Sequence, residues 1–546
     1  MSFDVPGHAQ LRSTAEDLTT TAEAPAAAQA AVPGQAEIVP PPRWARVYGW
    51  LATAGIGSSL IIMIVASLAR ASWMGPPMPM PRLGPPFEIS GLRLSLDTIT
   101  ICLWLAAVAG GLGVAAGLVA VRRGVRPPVR LLLVTATIAV AILTVLPPVG
   151  STDSLDYAAF GRMATLGHSP YAMVPWDLMR LHDPIAKSLP AEWDRYTTPY
   201  GPAASVEQYL AALLGGTSAA RIVFWLKLAN AGAFGLVAWV ADRLLRADPA
   251  ARLRAHLLWT VNPLLIWQLI AAAHLDVLAA AAGMLGLILA GGWGTRIVGT
   301  ATTSGHPRLG RALAGGVLVG IAADIKITFV LFGLGLAWAL RRSPAAFATA
   351  ACGMLVVLLP SYAWFGPSAV KSVLNRNNRT TADNFYQLFS RAQHGFLMDH
   401  VAGIATVLVV GVAMLTLTRL PFRAHAEPAI FAALSLSTAW LFSWQYQLPS
   451  YEAMIICLLI LVPATWLDWL VMIRLTAATI ALMPGNPTPL RTFPLNRIYY
   501  YDLTIAVPIV LIGVVGALVA LCLSERRRAA REPTSEPPTV ATATTG

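Results

Sequence analysis

Charged residues are scarce in this chain of 546 residues: Asp, Glu, Lys and Arg make up 12% of it, whereas 56% is hydrophobic. Soluble domains carry about 25% charged residues, so the composition excludes an ordinary soluble protein and predicts a polytopic membrane protein. The net charge of +12 does not indicate nucleic-acid binding. The arginines stand in short clusters between apolar segments, a pattern that orients a protein in a membrane.

Cysteines are few, and the common nucleotide-binding motif is absent. The sequence contains no GxxxxGK[ST] motif, so it gives no indication of a P-loop domain that would use ATP as an energy source. The few cysteines all lie in apolar runs, which argues against a disulfide framework and against a zinc site. They are Cys102, Cys352, Cys457 and Cys522.

The two ends of the chain lack long apolar runs. Residues 1–44 are rich in Ala, Thr, Glu and Pro and contain no apolar core of the signal-peptide type. Residues 526–546 are rich in Pro and Thr. We interpret both segments as disordered cytoplasmic tails, which leaves residues 45–525 as one transmembrane domain.

The apolar segments between the tails predict an all-α polytopic membrane protein with about 12–14 transmembrane helices. A spanning helix needs about 20 apolar residues, and fewer where it is broken or packed inside a bundle. The candidate segments lie near 48–69, 96–121, 130–147, 219–244, 254–271, 275–293, 309–323, 327–340, 344–365, 400–418, 428–444, 450–464, 466–483 and 503–523.

Alternate connections between these segments are basic. By the positive-inside rule they face the cytoplasm, together with both chain termini. The other connections then lie outside the cell, and we expect the polar functional groups to gather there. The long outer connections are 148–202, 366–399 and 484–502.

The first outer connection begins with two acids, in the segment PPVGSTDSLDYAAFGRMATLGHSPY. Its spacing predicts a short helix lying on the membrane surface, with Asp153 at its start and Asp156 about one turn later. Each carboxylate either caps the helix or faces a cavity at the membrane boundary as a general base. Partial desolvation at such a boundary raises the pKa of a carboxylate and makes it a better proton acceptor.

The rest of this connection, residues 170–202, is long for a loop and holds several aromatic rings, including those of Trp176, Trp193, Tyr196 and Tyr200. A structureless loop of this length is usually functional or disordered, and the content of Trp, Tyr and Pro favours order. Each ring serves either as an interfacial anchor or as a face for a sugar.

Two pairs of ionisable residues interrupt apolar segments: His274 and Asp276 in AAAHLDVL, and Asp324 and Lys326 in GIAADIK. Ionisable residues at such positions are costly, which indicates a functional site. For the first pair the alternatives are a metal site, a hydrogen-bonded helix start and a contact with substrate. Lys326 either pairs with Asp324 or binds the phosphate of a lipid-linked donor, and the two roles are compatible.

The second outer connection is the most polar one and carries Arg376, Arg379 and Arg391. Basic residues on the outer face run against the orientation rule, so a specific task is plausible. Contact with a phosphate is the functional interpretation, and solvation among lipid headgroups is the alternative.

The segment FSWQYQLPSYE, residues 442–452, ends one apolar segment and begins the next. Its aromatic rings and the amides of Gln445 and Gln447 resemble the lining of a sugar site. The alternative is an interfacial belt of aromatic residues.

Several of these motifs, taken in order, resemble one known family. The segment GSTDSLDYAAFGRMATLGHSPY, then YGP at 200–202, NPLLIW…AAAHLDVL at 262–278 and GIAADIK at 320–326 are similar to the motifs of polyprenol-phosphate-mannose-dependent α-1,6-mannosyltransferases, the MptA/MptB group. The resemblance covers about residues 45–525 and implies the GT-C superfold, in which many membrane helices hold an extracytoplasmic active site.

The resemblance also implies roles for individual residues. Asp153 corresponds to the catalytic carboxylate, whereas Asp156 has no clear counterpart and stays a second candidate. Lys326, with the three arginines of the second outer connection, is expected to bind the donor phosphate. The expected substrate-binding residues are Tyr157, Arg162, His168, Tyr171, Tyr200, His274, Asp276, Gln445 and Gln447.

The reaction implied is an inverting glycosyl transfer at the outer face of the cytoplasmic membrane. The donor is polyprenyl-phosphate mannose and the acceptor is a lipid-linked mannoside of the mannan or lipomannan type. No cofactor is required by the sequence, and the need for a divalent metal stays open. Two alternatives also stay open: a secondary transporter or lipid flippase, and a GT-C transferase that uses another polyprenyl-linked sugar.

Overall fold

The computed structural model describes residues 42–69, 78–89, 91–190, 193–291, 309–374, 380–388, 400–421, 426–483 and 492–529, and among these it contains no β-strand. The α-helices are α1 (Arg43–Ala69), α2 (Leu96–Arg122), α3 (Val129–Val145), α4 (Asp153–Thr165), α5 (Asp177–Arg180), α6 (Pro202–Gly215), α7 (Ala219–Leu244), α8 (Pro249–Ala255), α9 (Pro263–Ile266), α10 (Asp276–Ala290), α11 (Leu309–Ile325), α12 (Val330–Leu340), α13 (Pro344–Phe365), α14 (Pro367–Leu374), α15 (Val401–Arg419), α16 (Pro428–Ser443), α17 (Glu452–Leu459), α18 (Leu467–Leu482), α19 (Phe493–Tyr501) and α20 (Val507–Ala529). Short 3-10 helices span Pro184–Ser188, Ile327–Phe329 and Pro449–Tyr451, and π-helical turns span His256–Thr260, Trp267–Ala271 and Asp502–Ala506.

Six helices in the described part of the chain are long and apolar enough to cross a membrane. A bent pair, Pro249–Ala271 with Asp276–Ala290, makes a seventh span if its two halves are counted together. The chain is therefore a multi-pass membrane protein. The six are Arg43–Ala69, Leu96–Arg122, Ala219–Leu244, Pro344–Phe365, Val401–Arg419 and Phe493–Ser524.

The long helices are fewer than the predicted segments because many of those segments form shorter helices. Short helices of this kind are tolerated where neighbouring helices cover their ends. Helices α11 and α18 have 17 and 16 residues. Four further apolar helices of similar or smaller length are Val129–Val145, Ile327–Leu340, Pro428–Ser443 and Pro449–Leu459.

The predicted tails lie largely outside the described residues. Helix α1 begins at Arg43, so the last two residues of the predicted N-terminal tail are helical rather than disordered. Helix α20 continues to Ala529, so the predicted C-terminal tail also begins with helix.

Small residues bring the first two spanning helices into close contact. A Cβ atom on Gly55 of α1 would lie 2.6 Å from the carbonyl oxygen of Ala109 and 2.8 Å from the Cα atom of Gly113, both in α2. Because lipid is as apolar as a Leu side chain, membrane helices associate through this close backbone packing. Any larger residue at Gly55 forces the two helices apart.

Helix α4 lies inside the protein rather than on its surface. It packs against α6 and α7, and most of its residues are buried, including Asp156, Tyr157 and Phe160. The sequence prediction of a helix with Asp153 at its start is confirmed, but neighbouring helices cover this helix, so it does not lie free on the surface of the protein. The packing fixes the first turn of α4 deep in the bundle, where the candidate site lies.

Candidate active site

A tight turn leads the chain from α3 into α4. Gly150 has φ +98°, and a Cβ atom on it would clash with the indole nitrogen of Trp267. Only glycine fits there, since the left-handed conformation and the contact both exclude a side chain. Ser151 then accepts the Asp153 backbone N–H at 3.1 Å. Thr152 is the N-cap residue and Asp153 the first helical residue, so the turn aims the Asp153 carboxylate from the helix start.

The imidazole of His274 faces the Asp153 carboxylate. His274 Nε2 lies 3.5 Å from Asp153 Oδ2, and the two side chains are 4% and 21% exposed. His274 Nδ1 lies 2.7 Å from the carbonyl oxygen of Gln268, which only accepts hydrogen bonds, so Nδ1 carries a proton. Asn230 of α7 holds the turn in place by donating to the His274 carbonyl oxygen at 3.1 Å.

The surroundings of Asp153 keep it ionised. Burial raises the pKa of its carboxyl group, but the contact with His274, the Ser151 hydroxyl and the charge of Lys326 together outweigh burial. The pKa of Asp153 therefore lies below its usual value. The sequence led us to expect that desolvation raises it, and this expectation is wrong because it left out the histidine. A carboxylate of this kind is available as a proton acceptor at neutral pH.

The cation nearest this pair among the described lining residues is Lys326. Lys326 Nζ donates to Asp276 Oδ1 at 2.6 Å and lies 3.5 Å from the ring centroid of Tyr451. Lys326 has extended backbone angles at the break between α11 and the 3-10 helix that follows, which turns its side chain inward. The predicted pairing of Lys326 with Asp324 is not formed, because Asp276 is its partner in the structure. An ammonium has three N–H donors, so Lys326 can hold Asp276 and still donate to a ligand.

Two of the sequence motifs meet directly behind Lys326. The Gly201 N–H donates to the carbonyl oxygen of Ile325 at 3.2 Å, and a Cβ atom on Gly201 would clash with the carbonyl oxygen of Asp324. The absence of a side chain at Gly201 therefore brings the end of the 170–202 segment onto α11. This contact places Tyr200 beside the charged groups.

Asp153, Asp156 and Lys326 line a cavity with an empty volume of about 980 Å³. Tyr157 and Tyr200 also line it, and their hydroxyl oxygens lie 3.0 Å apart. Asp156 is 4% exposed, so Asp153 is the more accessible of the two carboxylates. The cavity thus combines an ionised carboxylate, a cation and two phenols, a set suited to proton abstraction next to a negatively charged group.

Other predicted substrate-binding residues have structural partners instead. Arg162 Nε donates to Asp183 Oδ2 at 2.7 Å and ties α4 to the following loop. The Tyr171 hydroxyl donates to the carbonyl oxygen of Tyr200 at 3.0 Å and so supports that residue from behind. His168 is exposed. Arg162, Tyr171 and His168 are not among the residues that line the cavity, and their role in substrate binding stays a prediction.

Gln445 and Gln447 point away from the cavity, whereas their neighbours Trp444, Tyr446 and Leu448 line it. The segment is extended, with ψ 150° at both ends, so successive side chains point to opposite sides. Gln445 and Gln447 are 1% and 4% exposed, and Gln447 accepts a hydrogen bond from Arg474. The sequence identified a segment that lines the cavity, but the lining residues are its aromatic side chains and Leu448 rather than the two predicted glutamines.

Arg376, Arg379 and Arg391 lie outside the described residues, so the structure does not test their predicted contact with a phosphate. The sequence interpretation also missed cavity residues. Phe160 and Trp440 line the site, and each belongs to a segment whose apolar pattern explained it as packing. Within the described residues, no group of three His, Cys, Asp or Glu side chains is placed to hold a metal ion.

The chain matches a known family over more than half of its length. A family model described as "Alpha-(1->6)-mannopyranosyltransferase, N-terminal domain" matches residues 52–342. Asp153, His274, Asp276 and Lys326 all lie within that range, whereas Trp440 and the residues after it do not.

Individual curated proteins are similar over shorter stretches. A "Probable alpha-(1->6)-mannopyranosyltransferase" of Mycolicibacterium smegmatis is 28% identical over 248 residues, 41% of this chain and 43% of the relative. The "Alpha-(1->6)-mannopyranosyltransferase B" of Corynebacterium glutamicum is 26% identical over 289 residues, 51% of this chain and 40% of the relative. The "Alpha-(1->6)-mannopyranosyltransferase A" of Mycobacterium tuberculosis is 28% identical over 199 residues, 36% and 34% of the two chains. The chain therefore spans less than half the length of these relatives.

Proposed function

Since this chain belongs to the family of alpha-(1->6)-mannopyranosyltransferases, we propose that it is an α-1,6-mannosyltransferase of the GT-C type. It transfers mannose from polyprenyl-phosphate mannose to a lipid-linked mannoside of the mannan or lipomannan type. The observation that carries the proposal is that Asp153, which lines the cavity together with Lys326, is paired with the buried His274.

Asp153 is the general base of the proposed reaction. The 6-hydroxyl oxygen of the acceptor sugar attacks the anomeric carbon of the donor mannose, and its proton moves to the Asp153 carboxylate. A new bond forms between that oxygen and the anomeric carbon while the bond from this carbon to the phosphate oxygen breaks. Attack opposite the phosphate converts a β-linked donor into an α-linked product, so no covalent sugar–enzyme intermediate is needed.

The leaving group is polyprenyl phosphate, and Lys326 stabilises the negative charge that develops on it. A preorganised cation in a site that excludes water contributes strongly to such a step. Its partner Asp276 holds the ammonium in place at 2.6 Å before the donor arrives. The three arginines of the second outer connection stay candidates for further phosphate contacts.

His274 acts on Asp153 rather than on the substrate. Its fixed ring keeps the carboxylate oriented and lowers its pKa, so the base is deprotonated when the acceptor binds. After transfer, the proton on Asp153 passes to solvent through the cavity. His274 is thus a positioning residue.

The site works at the outer face of the cytoplasmic membrane in this proposal. The basic connections of the sequence, such as 122–130 and 242–254, face the cytoplasm by the positive-inside rule. The connection that carries Asp153 then faces outward. The donor keeps its lipid tail in the bilayer, which accounts for a reaction site enclosed by membrane helices.

The test is Asp153→Asn in purified enzyme supplied with labelled polyprenyl-phosphate mannose and a mannoside acceptor. We expect the transfer rate to fall by about 10²- to 10⁴-fold, because a general base contributes about that factor. Asp177→Asn is the matched control, since Asp177 is 28% exposed in the same connection but does not line the cavity.

A transfer rate near that of the wild type would rule out Asp153 as the base. Asp156→Asn in the same assay then tells whether the second carboxylate takes that role. If the wild-type protein transfers no mannose and its loss from cells leaves glycolipids unchanged but abolishes uptake of a solute, the transporter alternative replaces the transferase.

A further inference from the structure

Half of the described residues that line the cavity are aromatic: eight of sixteen, in a chain with an aromatic content of 8%. One group, which includes Tyr157, Trp193 and Tyr200, comes from the first outer connection. The other group consists of Trp440, Trp444, Tyr446 and Tyr451, and we call it the aromatic wall. The proposed chemistry uses none of the rings of the aromatic wall.

The geometry of the aromatic wall follows from three successive backbone elements. Trp440 lies in the last turn of α16, Trp444 and Tyr446 point into the cavity from the extended segment, and Tyr451 ends a 3-10 helix. The rings of Trp440 and Tyr451 lie 5.8 Å apart at 24°, and those of Trp440 and Trp444 lie 6.5 Å apart at 23°. All four side chains are partly exposed, whereas the two glutamines between them are buried.

The aromatic wall is continuous with the charged groups. The ring of Tyr451 lies directly against Lys326, with the ammonium 3.5 Å from the ring centroid. Trp440 and then Trp444 follow as the next rings in contact. A ligand that reaches from the reaction centre along this side of the cavity therefore meets several nearly parallel rings in succession.

The chemistry of the wall favours a carbohydrate over a lipid chain. Trp and Tyr rings combine an apolar face with an N–H or O–H group, which suits a ligand that presents C–H faces and hydroxyls together. An isoprenoid chain offers no hydroxyls. Ile327 and Val373, two of the few aliphatic residues in the lining, do not belong to the wall.

We propose that the aromatic wall binds the carbohydrate chain of the acceptor and holds the sugars that precede the reacting one. The inference rests on the proposed function, because it assigns a substrate to the same cavity. The wall lies outside the residues that match the N-terminal family model, so acceptor selection is assigned to a different part of the chain from the reacting groups.

The test is Trp444→Ala in purified enzyme reconstituted in lipid nanodiscs, with synthetic polyprenyl-phosphate mannose and an α-1,6-linked mannotrioside as the two substrates. We expect KM for the mannotrioside to rise by about tenfold, as is typical when a large aromatic contact is lost, with KM for the donor unchanged. Trp444→Phe restores most of the affinity. The Trp444 carbonyl oxygen, which accepts from Asn384 and Gln447, is unaffected by either change.

Trp239→Ala is the matched control, because Trp239 is 48% exposed on α7 and does not line the cavity. Tyr446→Ala provides a second variant if Trp444→Ala fails to fold. Unchanged KM values for the mannotrioside in both folded variants would overturn the inference. A rise confined to KM for the donor would instead assign the wall to the lipid-linked substrate and also overturn it. If the wild type transfers no mannose at all, the proposed function fails first.

Discussion

Two Asp–His pairs within the described residues combine a buried histidine with a partly buried aspartate, and Asp153 of the first pair lines the cavity whereas Asp242 of the second does not. Asp153 lies 3.5 Å from His274, is 21% exposed and lines the candidate active site. Asp242 lies 2.9 Å from His256, but it also accepts two hydrogen bonds from Arg252, at 2.6 and 2.9 Å. Asp242 is about 18 Å along α7 from Asn230, which holds the turn at His274.

The difference shows what distinguishes a carboxylate that can react from one that holds structural elements together. At the second location the carboxylates are saturated by paired arginine donors. Arg254 also binds Asp468 through two nitrogens, with both side chains almost fully buried, and donates to the carbonyl oxygens of Val462 and Leu459. A bidentate pair of this kind has few donors or acceptors left for a ligand. Asp153 has a histidine on one side and open space on the other.

The largest effect is expected on stability, from breaking the ion pair between Arg254 and Asp468. Among the described residues, Arg254→Met leaves the buried Asp468 with the more distant Arg122 as its ion-pair partner, whose nearest nitrogen lies 3.5 Å away. Removing one partner of a buried ion pair costs about 3–5 kcal/mol, so the free energy of unfolding in detergent should fall by that amount. The transfer rate per folded enzyme should stay unchanged.

The double variant Arg254→Met/Asp468→Leu tests the cause. If the loss comes from an uncompensated buried charge, the double variant is more stable than Arg254→Met alone. A double variant that is less stable, or a folded Arg254→Met enzyme that transfers mannose slowly, would contradict the division between the two regions.

The next effect concerns the cation of the active site. Lys326→Met should lower the transfer rate by about 10²- to 10³-fold, because it removes charge stabilisation from the leaving phosphate. Lys227→Met is the matched control: Lys227 is fully buried in α7 and donates to the carbonyl oxygen of Leu146, away from the cavity. Equal losses of transfer in folded samples of both variants would show that burial of a lysine, not its position, is what matters.

The smallest effect is expected at His274, and it depends on pH. His274→Gln should reduce transfer at neutral pH by about 10- to 100-fold through misplacement of the base. The histidine is one of the groups that hold the pKa of Asp153 down, so its removal raises that pKa. A base is inactive once protonated, so the variant should lose activity at a higher pH than the wild type as the pH falls. Rates measured from pH 4 to pH 8 check this, and identical acid limbs would show that His274 does not set the pKa of Asp153.

Much of the helical framework could be predicted from the sequence. The predicted segment 219–244 coincides with α7, and 344–365 coincides with α13, because long apolar runs and their flanking Ser and Pro residues define helices locally. The start of α4 at Asp153 follows from the same local signals. Helix ends and apolar periods depend on neighbouring residues in the chain, so a single sequence is enough to find them.

The partners inside the site could not be predicted in the same way. The sequence offered Asp324 as the partner of Lys326, but the partner is Asp276, fifty residues away. The phase of the extended segment at 444–448 decides that tryptophan and tyrosine, not glutamine, face the cavity, and no local pattern fixes that phase. Trp440 lies in an apolar helix, where an aromatic ring is ordinarily part of the packing.

The contact between Arg254 and Asp468 also limits how the protein can be dissected. The match to the N-terminal family model ends at residue 342, yet Asp468, which neutralises Arg254, lies well beyond that point. A truncated chain that stops at the end of the match would leave the Arg254 guanidinium without its partner Asp468. Sequence similarity therefore marks where the family is recognised, and an exchange of parts between relatives has to carry both members of this pair.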